Sequence, residues 1–289
     1  MILLTGATGS VGLELAKLFS RKGTLAKAMV RSGTAAEKLK DFTRIEPVIG
    51  DFDEAASLDA ALAGIEKVFL LTNSSERAEA QQLAFVSAAK RAGVKHIVKL
   101  SQLHAATDSP VRFLRYHAVV EQAIRDSGMN FTFLRPNLFM QGLLGFSDMI
   151  VQGQLFAPIA TSRISLVDTR DIAAVAFAAL TEPGHVGRIY DITGPEALSH
   201  AEIAARISDA VGHKVNFIEI PPQAMRDAAI EVGFPVWQAD GLIEDYAHYA
   251  RDEAEAVSAD SANVIGRTPI SFDSFVSDYK SAFTAIAGA

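Results

Sequence analysis

Seven residues near the start, Gly6-Ala7-Thr8-Gly9-Ser10-Val11-Gly12, restrict the fold more than any other stretch of the chain. They follow Ile2-Leu3-Leu4 directly and lead into a segment with Val11, Leu15, Leu18 and Phe19 on one helical face. Glycines at 6, 9 and 12 allow a tight turn and a close backbone approach. The helix that follows offers unpaired N–H groups and a positive dipole end to a diphosphate. A strand before, an amphipathic helix after and a second strand from about residue 26 are the context in which this pattern carries meaning.

The rest of the first half keeps the same rhythm. Short apolar runs at residues 2–4, 26–30, 46–49, 68–71, 96–100 and 131–134 fit strands of a parallel sheet buried on both faces. Helical segments lie between most of them, and Gly23, Gly64, Gly93 and Gly128 stand shortly before a following strand, where a left-handed residue ends a helix. Asp53 and Ser75 precede carboxylate-bearing segments and are expected as N-caps. Further on, the pattern predicts helices over 169–180, 199–211, 223–232, 239–257 and 272–283, and strands over 188–192 and 214–220. Ser199 and Glu202 have capping-box spacing. The sequence therefore predicts an α/β fold, a doubly wound Rossmann-type parallel sheet with a smaller C-terminal α/β substrate lobe. Residues 1–140, with 164–193 returning to them, are expected to form the NADP-binding domain, and 141–163 with 194–289 the lobe.

Arg31 stands at the end of the second strand, where NAD-binding sheets carry an acidic residue for the ribose 2′-OH. A forked guanidinium suits a 2′-phosphate instead, which predicts NADP(H) in preference to NAD(H). The 289 residues include no cysteine, which excludes disulfides, thiol nucleophiles and thiolate metal sites. His96, His104 and His117 lack ligand spacing, so no metal is expected. With 27 basic against 34 acidic residues, net −7, the chain lacks the basic footprint of a nucleic-acid binder. No apolar run approaches membrane-spanning length, and the first strand begins at once, so a cytoplasmic protein, monomer or homodimer, is expected.

Taken with Gly50-Asp51-Phe52 and Arg135-Pro136-Asn137-Leu138-Phe139, the sequence resembles the NmrA-like branch of the atypical short-chain dehydrogenases/reductases. NADPH-dependent quinone, azo and triarylmethane-dye reductases occur in that branch. The resemblance runs nearly the whole length and includes Val167-Asp168-Thr169-Arg170-Asp171-Ile172-Ala173, Tyr190-Asp191-Ile192-Thr193-Gly194 and the stretch 266–272. It implies that Thr8, Gly9, Ser10 and Val11, within the Gly6 to Gly12 loop, cradle the cofactor phosphates. Asp51 and Phe52 would flank the adenine, and Leu71, Thr72 and Asn73 would lie along the ribose. Ser101 would sit near the nicotinamide, and Pro136, Asn137, Leu138 and Phe139 would line the substrate mouth.

Short-chain dehydrogenases usually carry a YxxxK pair on the helix after the fifth strand. Here that segment reads Phe113-Leu114-Arg115-Tyr116-His117-Ala118-Val119-Val120-Glu121. One alignment puts Phe113 and His117 at the pair's positions, the other Tyr116 and Val120, and neither restores it. His117 either donates a proton and holds the nicotinamide ribose, or is a structural histidine. Loss of the pair favours a flat conjugated acceptor, quinone or dye, because such a molecule delocalises an arriving charge. The chain is thus expected to be an NADPH-dependent reductase with His117 and Ser101 as catalytic candidates. The alternative is a non-catalytic NADP(H)-sensing regulator acting through a protein partner. Trp237, Tyr246 and Tyr249 either wall a flat substrate or belong to the core between the lobes.

Overall fold

Runs of Val, Ile, Leu and Phe without polar alternation must be covered on both sides, and the chain does this with helices. A computed structural model of the chain describes residues 1–284. Its strands are β1 (Ile2–Leu4), β2 (Ala26–Val30), β3 (Ile45–Ile49), β4 (Lys67–Leu70), β5 (His96–Leu100), β6 (Asn130–Pro136), β7 (Gln154–Ala157), β8 (Arg163–Ile164), β9 (Arg188–Ile192), β10 (Leu198–Ser199) and β11 (Asn216–Glu219). Seven of them form one sheet in the order β3-β2-β1-β4-β5-β6-β9, with every pair parallel. The chain starts at β1, winds outward to β3, then crosses back to β4 and outward again. This reversal opens a crevice beyond the carboxyl ends of β1 and β4, where ligands of such sheets bind.

The helices are α1 (Ser10–Arg21), α2 (Gly33–Ala36), α3 (Ala55–Leu62), α4 (Ala78–Arg91), α5 (Arg112–Ser127), α6 (Ser147–Val151), α7 (Thr169–Thr181), α8 (His200–Val211), α9 (Pro222–Glu231), α10 (Val236–Tyr249), α11 (Asp260–Ile265) and α12 (Phe272–Asp278). One face of the sheet is covered by α1 and α7, whose Val11, Leu15, Phe19, Ile172, Val175 and Leu180 pack on Leu4, Val98 and Leu134. The opposite face is covered by α3, α4 and α5, through Leu58, Leu62, Phe85, Val120 and Ile124 against Ile97 and Phe133. A separate apolar cluster joins Leu143, Ile150 and Leu155 to α8, α10 and the fully buried Phe272, Phe275 and Phe283. Parallel β7–β11 and antiparallel β8–β10 ladders frame it. The last five residues of the expected lobe lie outside the described residues.

Gly23, Gly64, Gly93 and Gly128 all take positive φ, between 66° and 79°, as helix terminators should. Ser199 and Glu202 form the expected capping box on α8. Two expected caps are corrected. The cap of α3 is Glu54, and the Asp53 carboxylate instead meets Arg77 at 2.7 Å and Gln81 at 3.1 Å. Helix α4 starts at Ala78, with Arg77 and not Ser75 at its cap. The expected helix 239–257 ends at Tyr249, and 272–283 breaks at Tyr279 into α12 and a short 3₁₀ turn. The edge strand β3 also departs from full burial: Ile49 is 55% exposed.

Candidate active site

The glycine loop takes the shape its sequence demands. Gly6 has φ +63°, and a Cβ there would stand 2.8 Å from Leu71 Cγ. At Gly12 a Cβ would stand 2.7 Å from the Gly6 carbonyl carbon and 2.8 Å from Ala7 Cα, so helix and loop touch backbone to backbone. Gly9 is different. It is exposed, and a Cβ there would meet only Gly6 O, at 3.4 Å. No side chain caps α1, its first turn holds no acidic residue, and the first main-chain bond into the turn is Leu13 N–H to Gly9 O at 2.8 Å. The N–H groups of residues 10–12 are left for a ligand. These features fit a dinucleotide diphosphate, which needs close backbone approach and bare amides.

Around this loop the expected residues fall along the carboxyl ends of neighbouring strands. Arg31 follows β2, is exposed and has no side-chain partner among the described residues, while Ser32 caps α2 by accepting from Ala35 N–H. Asp51 accepts from Asp53 N–H at 3.0 Å, and the Phe52 ring packs on Phe85. Leu71 closes against Gly6, and the Thr72 hydroxyl accepts from Gln82 Nε2 at 2.8 Å. The other Gln82 amide atom, Oε1, is buried without a partner. Asn73 sits between Thr72 and Ser74, and the Ser74 hydroxyl bonds Tyr116 Oη at 3.1 Å.

Beyond β5, Ser101 is buried, and its hydroxyl donates to Glu121 Oε1 at 2.6 Å. Glu121 also holds Arg135 by two bonds of 2.9 and 2.6 Å and Arg125 by one of 3.4 Å. His117, one helical turn before Glu121 on α5, is contacted at Nδ1 by Lys99 Nζ at 2.7 Å, and Lys99 also donates to Leu100 O at 3.0 Å. Lys99 is fully buried. Desolvation, with Arg135 nearby, brings its ammonium down to about 7, against the pull of Glu121. Burial first, then the charges of Lys99 and Arg135, keep the His117 imidazole neutral, well below its ordinary value. Tyr116 points elsewhere, to Ser74, and burial pushes its hydroxyl far above the ordinary phenol range.

Of the mouth residues, Pro136 ends β6, Leu138 joins the second apolar cluster and Phe139 packs against the first. Asn137 is turned inward: its Nδ2 donates to Ser165 Oγ and Ala254 O, both at 2.8 Å, and its Oδ1 accepts from Leu138 N–H. That amide ties β6 to the loop at residue 254. Helix α10 forms a wall over α5. Arg112 grips Glu244 and Trp237 O, Trp237 packs on Phe113, and a Cβ at Gly241 would clash with the tip of the Phe113 ring. Tyr246 and Tyr249 are buried in the second cluster, so they belong to the core and not to a substrate wall. In the same wall, Gln102 donates to both oxygens of the buried Asp245, whose carboxyl burial pushes up to about 7.

The family model described as "NmrA-like family" matches residues 1–266. The chain belongs to the NmrA-like family. It is 38% identical over 286 residues to an NAD(P)H azoreductase of Xenophilus azovorans, covering 99% of this chain and all of that one. Among solved structures, the NADPH-dependent quinone oxidoreductase of Escherichia coli, complexed with NADPH, superposes with a TM-score of 0.87. It shares 28% identity and covers 97% of this chain and all of the other. The Citrobacter sp. triphenylmethane reductase complexed with NADP(H) gives 0.86 at 26% identity, over 98% of this chain and all of that one.

The sequence reading missed Lys99, Gln82, Gln102 and Asp245. A signal existed for Lys99, a lone cation inside His96-Ile97-Val98-Lys99-Leu100, a central strand with no solvent-facing side. None existed for Asp245, whose burial depends on how α10 lies across α5.

Proposed function

We propose that this NmrA-like chain is an NADPH-preferring reductase acting on a flat conjugated acceptor, such as a quinone or an azo or triarylmethane dye. The observation that carries the reading is the bare first turn of α1, with Gly9 open in front of it and Gly6 and Gly12 locked behind. Thr8, Gly9, Ser10 and Val11 hold the diphosphate through main-chain amides. Arg31 meets the 2′-phosphate, Asp51 and Phe52 flank the adenine, and Leu71, Thr72 and Asn73 border the ribose. Ser101 and His117 stand at the nicotinamide end, with Pro136, Leu138 and Phe139 shaping the acceptor's entrance around the buried Asn137. The nicotinamide, when bound, supplies the hydride. The protein positions it, excludes water and places a proton donor. Full-length similarity to an azoreductase and to quinone and dye reductases supports the acceptor class.

The test is oxidation of NADPH and NADH against a panel of quinones and dyes, with the wild type beside Arg31→Asp. NADPH affinity should fall roughly 10- to 100-fold in the variant, while NADH affinity stays within about threefold. Equal losses for both would remove Arg31 from phosphate recognition. Tight NADPH binding with no turnover on any acceptor would overturn the reductase reading in favour of a nucleotide sensor.

A further inference from the structure

We propose that Lys99 and His117 form a proton relay beneath the candidate active site, His117 Nε2–H protonating the reduced acceptor and the Lys99 ammonium resupplying the imidazole through Nδ1. The relay rests on the reductase reading and gives it the proton source that the YxxxK positions lack.

The geometry fixes which ring nitrogen carries the hydrogen. Lys99 rises from β5 on the α5 side of the sheet, is fully buried, and places Nζ 2.7 Å from His117 Nδ1. A free lysine is about four pK units more basic than a histidine, so one proton shared by the two rests on the lysine. Nδ1 must then accept, and the ring hydrogen lies on Nε2. His117 is 8% exposed, and its Nε2 has no protein partner and is not among the buried unpartnered atoms. That edge of the ring is therefore the one within reach of solvent. The charged and titratable groups facing the pair are Tyr116, Glu121 and Arg125 on α5, Ser101 after β5, and Arg135 on β6 with Asp191 of β9 behind it. Ser101 has committed its proton to Glu121, and Glu121 is held by two arginines. Tyr116 holds its proton too tightly to give it up near neutrality. Among these groups, Lys99 alone combines an ionisation near neutrality, at about 7, with a direct bond to the imidazole.

The proton balance closes. An acceptor that has taken a hydride from the reduced nicotinamide carries a negative charge on oxygen or nitrogen. The Nε2–H bond breaks and an O–H or N–H bond forms on the acceptor. One N–H bond of the Lys99 ammonium breaks as Nδ1–H forms, so the imidazole ends neutral and Lys99 ends as an amine. Solvent returns the missing proton once product has left, and exchange between the ring nitrogens restores the starting tautomer. Lys99 is a positioning and supply residue in this scheme, and His117 is the group that meets the acceptor.

The measurement is turnover against pH, with NADPH affinity followed separately by fluorescence, for the wild type, Lys99→Met and Lys99→Arg. Wild-type turnover should decline as pH rises through about 7, where Lys99 loses its proton. Lys99→Met should lower kcat roughly 10- to 100-fold, lose that pH limb and bind NADPH within about twofold of the wild type. Lys99→Arg keeps a charged donor against Nδ1 but does not release its proton, and should be as slow as Lys99→Met. Wild-type kcat in either variant overturns the relay. Nitrogen-15 spectra of the unmodified protein provide a check that needs no variant to fold. The Nε2–H tautomer of His117 should dominate below about pH 7, while Lys99 holds its proton, and the Nδ1–H tautomer there would overturn the relay. A wild type that neither binds nor oxidises NADPH breaks the reductase reading. A wild type that turns over with the Nδ1–H tautomer, or with Lys99→Met unimpaired, breaks the relay alone.

Discussion

The two faces of the central sheet are built on different principles. Under α1 and α7 the contact is a continuous apolar surface, with Phe19, Leu15, Ile172 and Val175 essentially inaccessible to water. Under α5 the apolar contact stops about two turns short of the helix N-terminus. There Lys99 bonds His117 at 2.7 Å, and Glu121 bonds Ser101 and Arg135 at 2.6–2.9 Å. Both faces are hidden from water, and the one under α5 sets the Lys99–His117 pair beside the Ser101, Glu121 and Arg135 cluster. The first stabilises by area removed from water. The second spends desolvation on groups whose pairing has to be complete, since a buried charge without its partner is strongly unfavourable. That condition is met at the carboxyl end of β5.

Four substitutions test this contrast, in order of expected effect. Phe19→Ala on the apolar face should destabilise by about 3–5 kcal/mol in urea unfolding, with no change in pH dependence. Glu121→Gln on the polar face should cost about 3 kcal/mol despite its near-identical volume, because Arg135 and Arg125 lose their counter-charge. If it proved neutral, the charged cluster would not be a coupled unit. Asp245→Asn examines the wall above α5 through pH. The Asp245 carboxyl has its affinity for a proton raised from 3.8 to about 7 by burial. Its contribution is therefore fully present below pH 4 and is lost as pH rises through about 7. Melting curves between pH 4 and 8 should show the wild type losing stability relative to Asp245→Asn as pH rises. Lys99→Met has the smallest expected effect, a stability within about 1 kcal/mol of the wild type or above it, because a methionine fills the lysine's volume without a charge to desolvate. A large loss there would mean that the polar face is held together by Lys99, and not by Glu121.

The contrast also separates what was legible in the sequence from what was not. The regular elements were readable almost residue by residue, because β1, β2, β5 and β9 and, outside the central sheet, helix α8 follow from runs, spacing and caps that act locally. The glycine loop was readable for the same reason, Gly6 and Gly12 being required by contacts within about six residues or with the adjacent strand. The caps at Asp53 and Ser75 failed because carboxylates and hydroxyls near a helix start have other partners, here Arg77 and Gln81 for Asp53. Asn137 resembled a mouth residue by position, but its orientation is set by Ser165 and Ala254, far off in sequence. His117 was visible in the sequence as a candidate, but its partner Lys99 is 18 positions away on another element. Pairings of that kind arise only from the packing of helix on sheet.

Gly241 shows what the wall above this cluster tolerates. Since the tip of the Phe113 ring occupies the space a side chain would take, the α10 backbone meets that ring with only a glycine hydrogen between them. Residue 241 therefore gauges how closely the two helices seat: a methyl or hydroxymethyl group there would have to turn the Phe113 ring aside or lift α10 against the grip of Arg112 on Glu244.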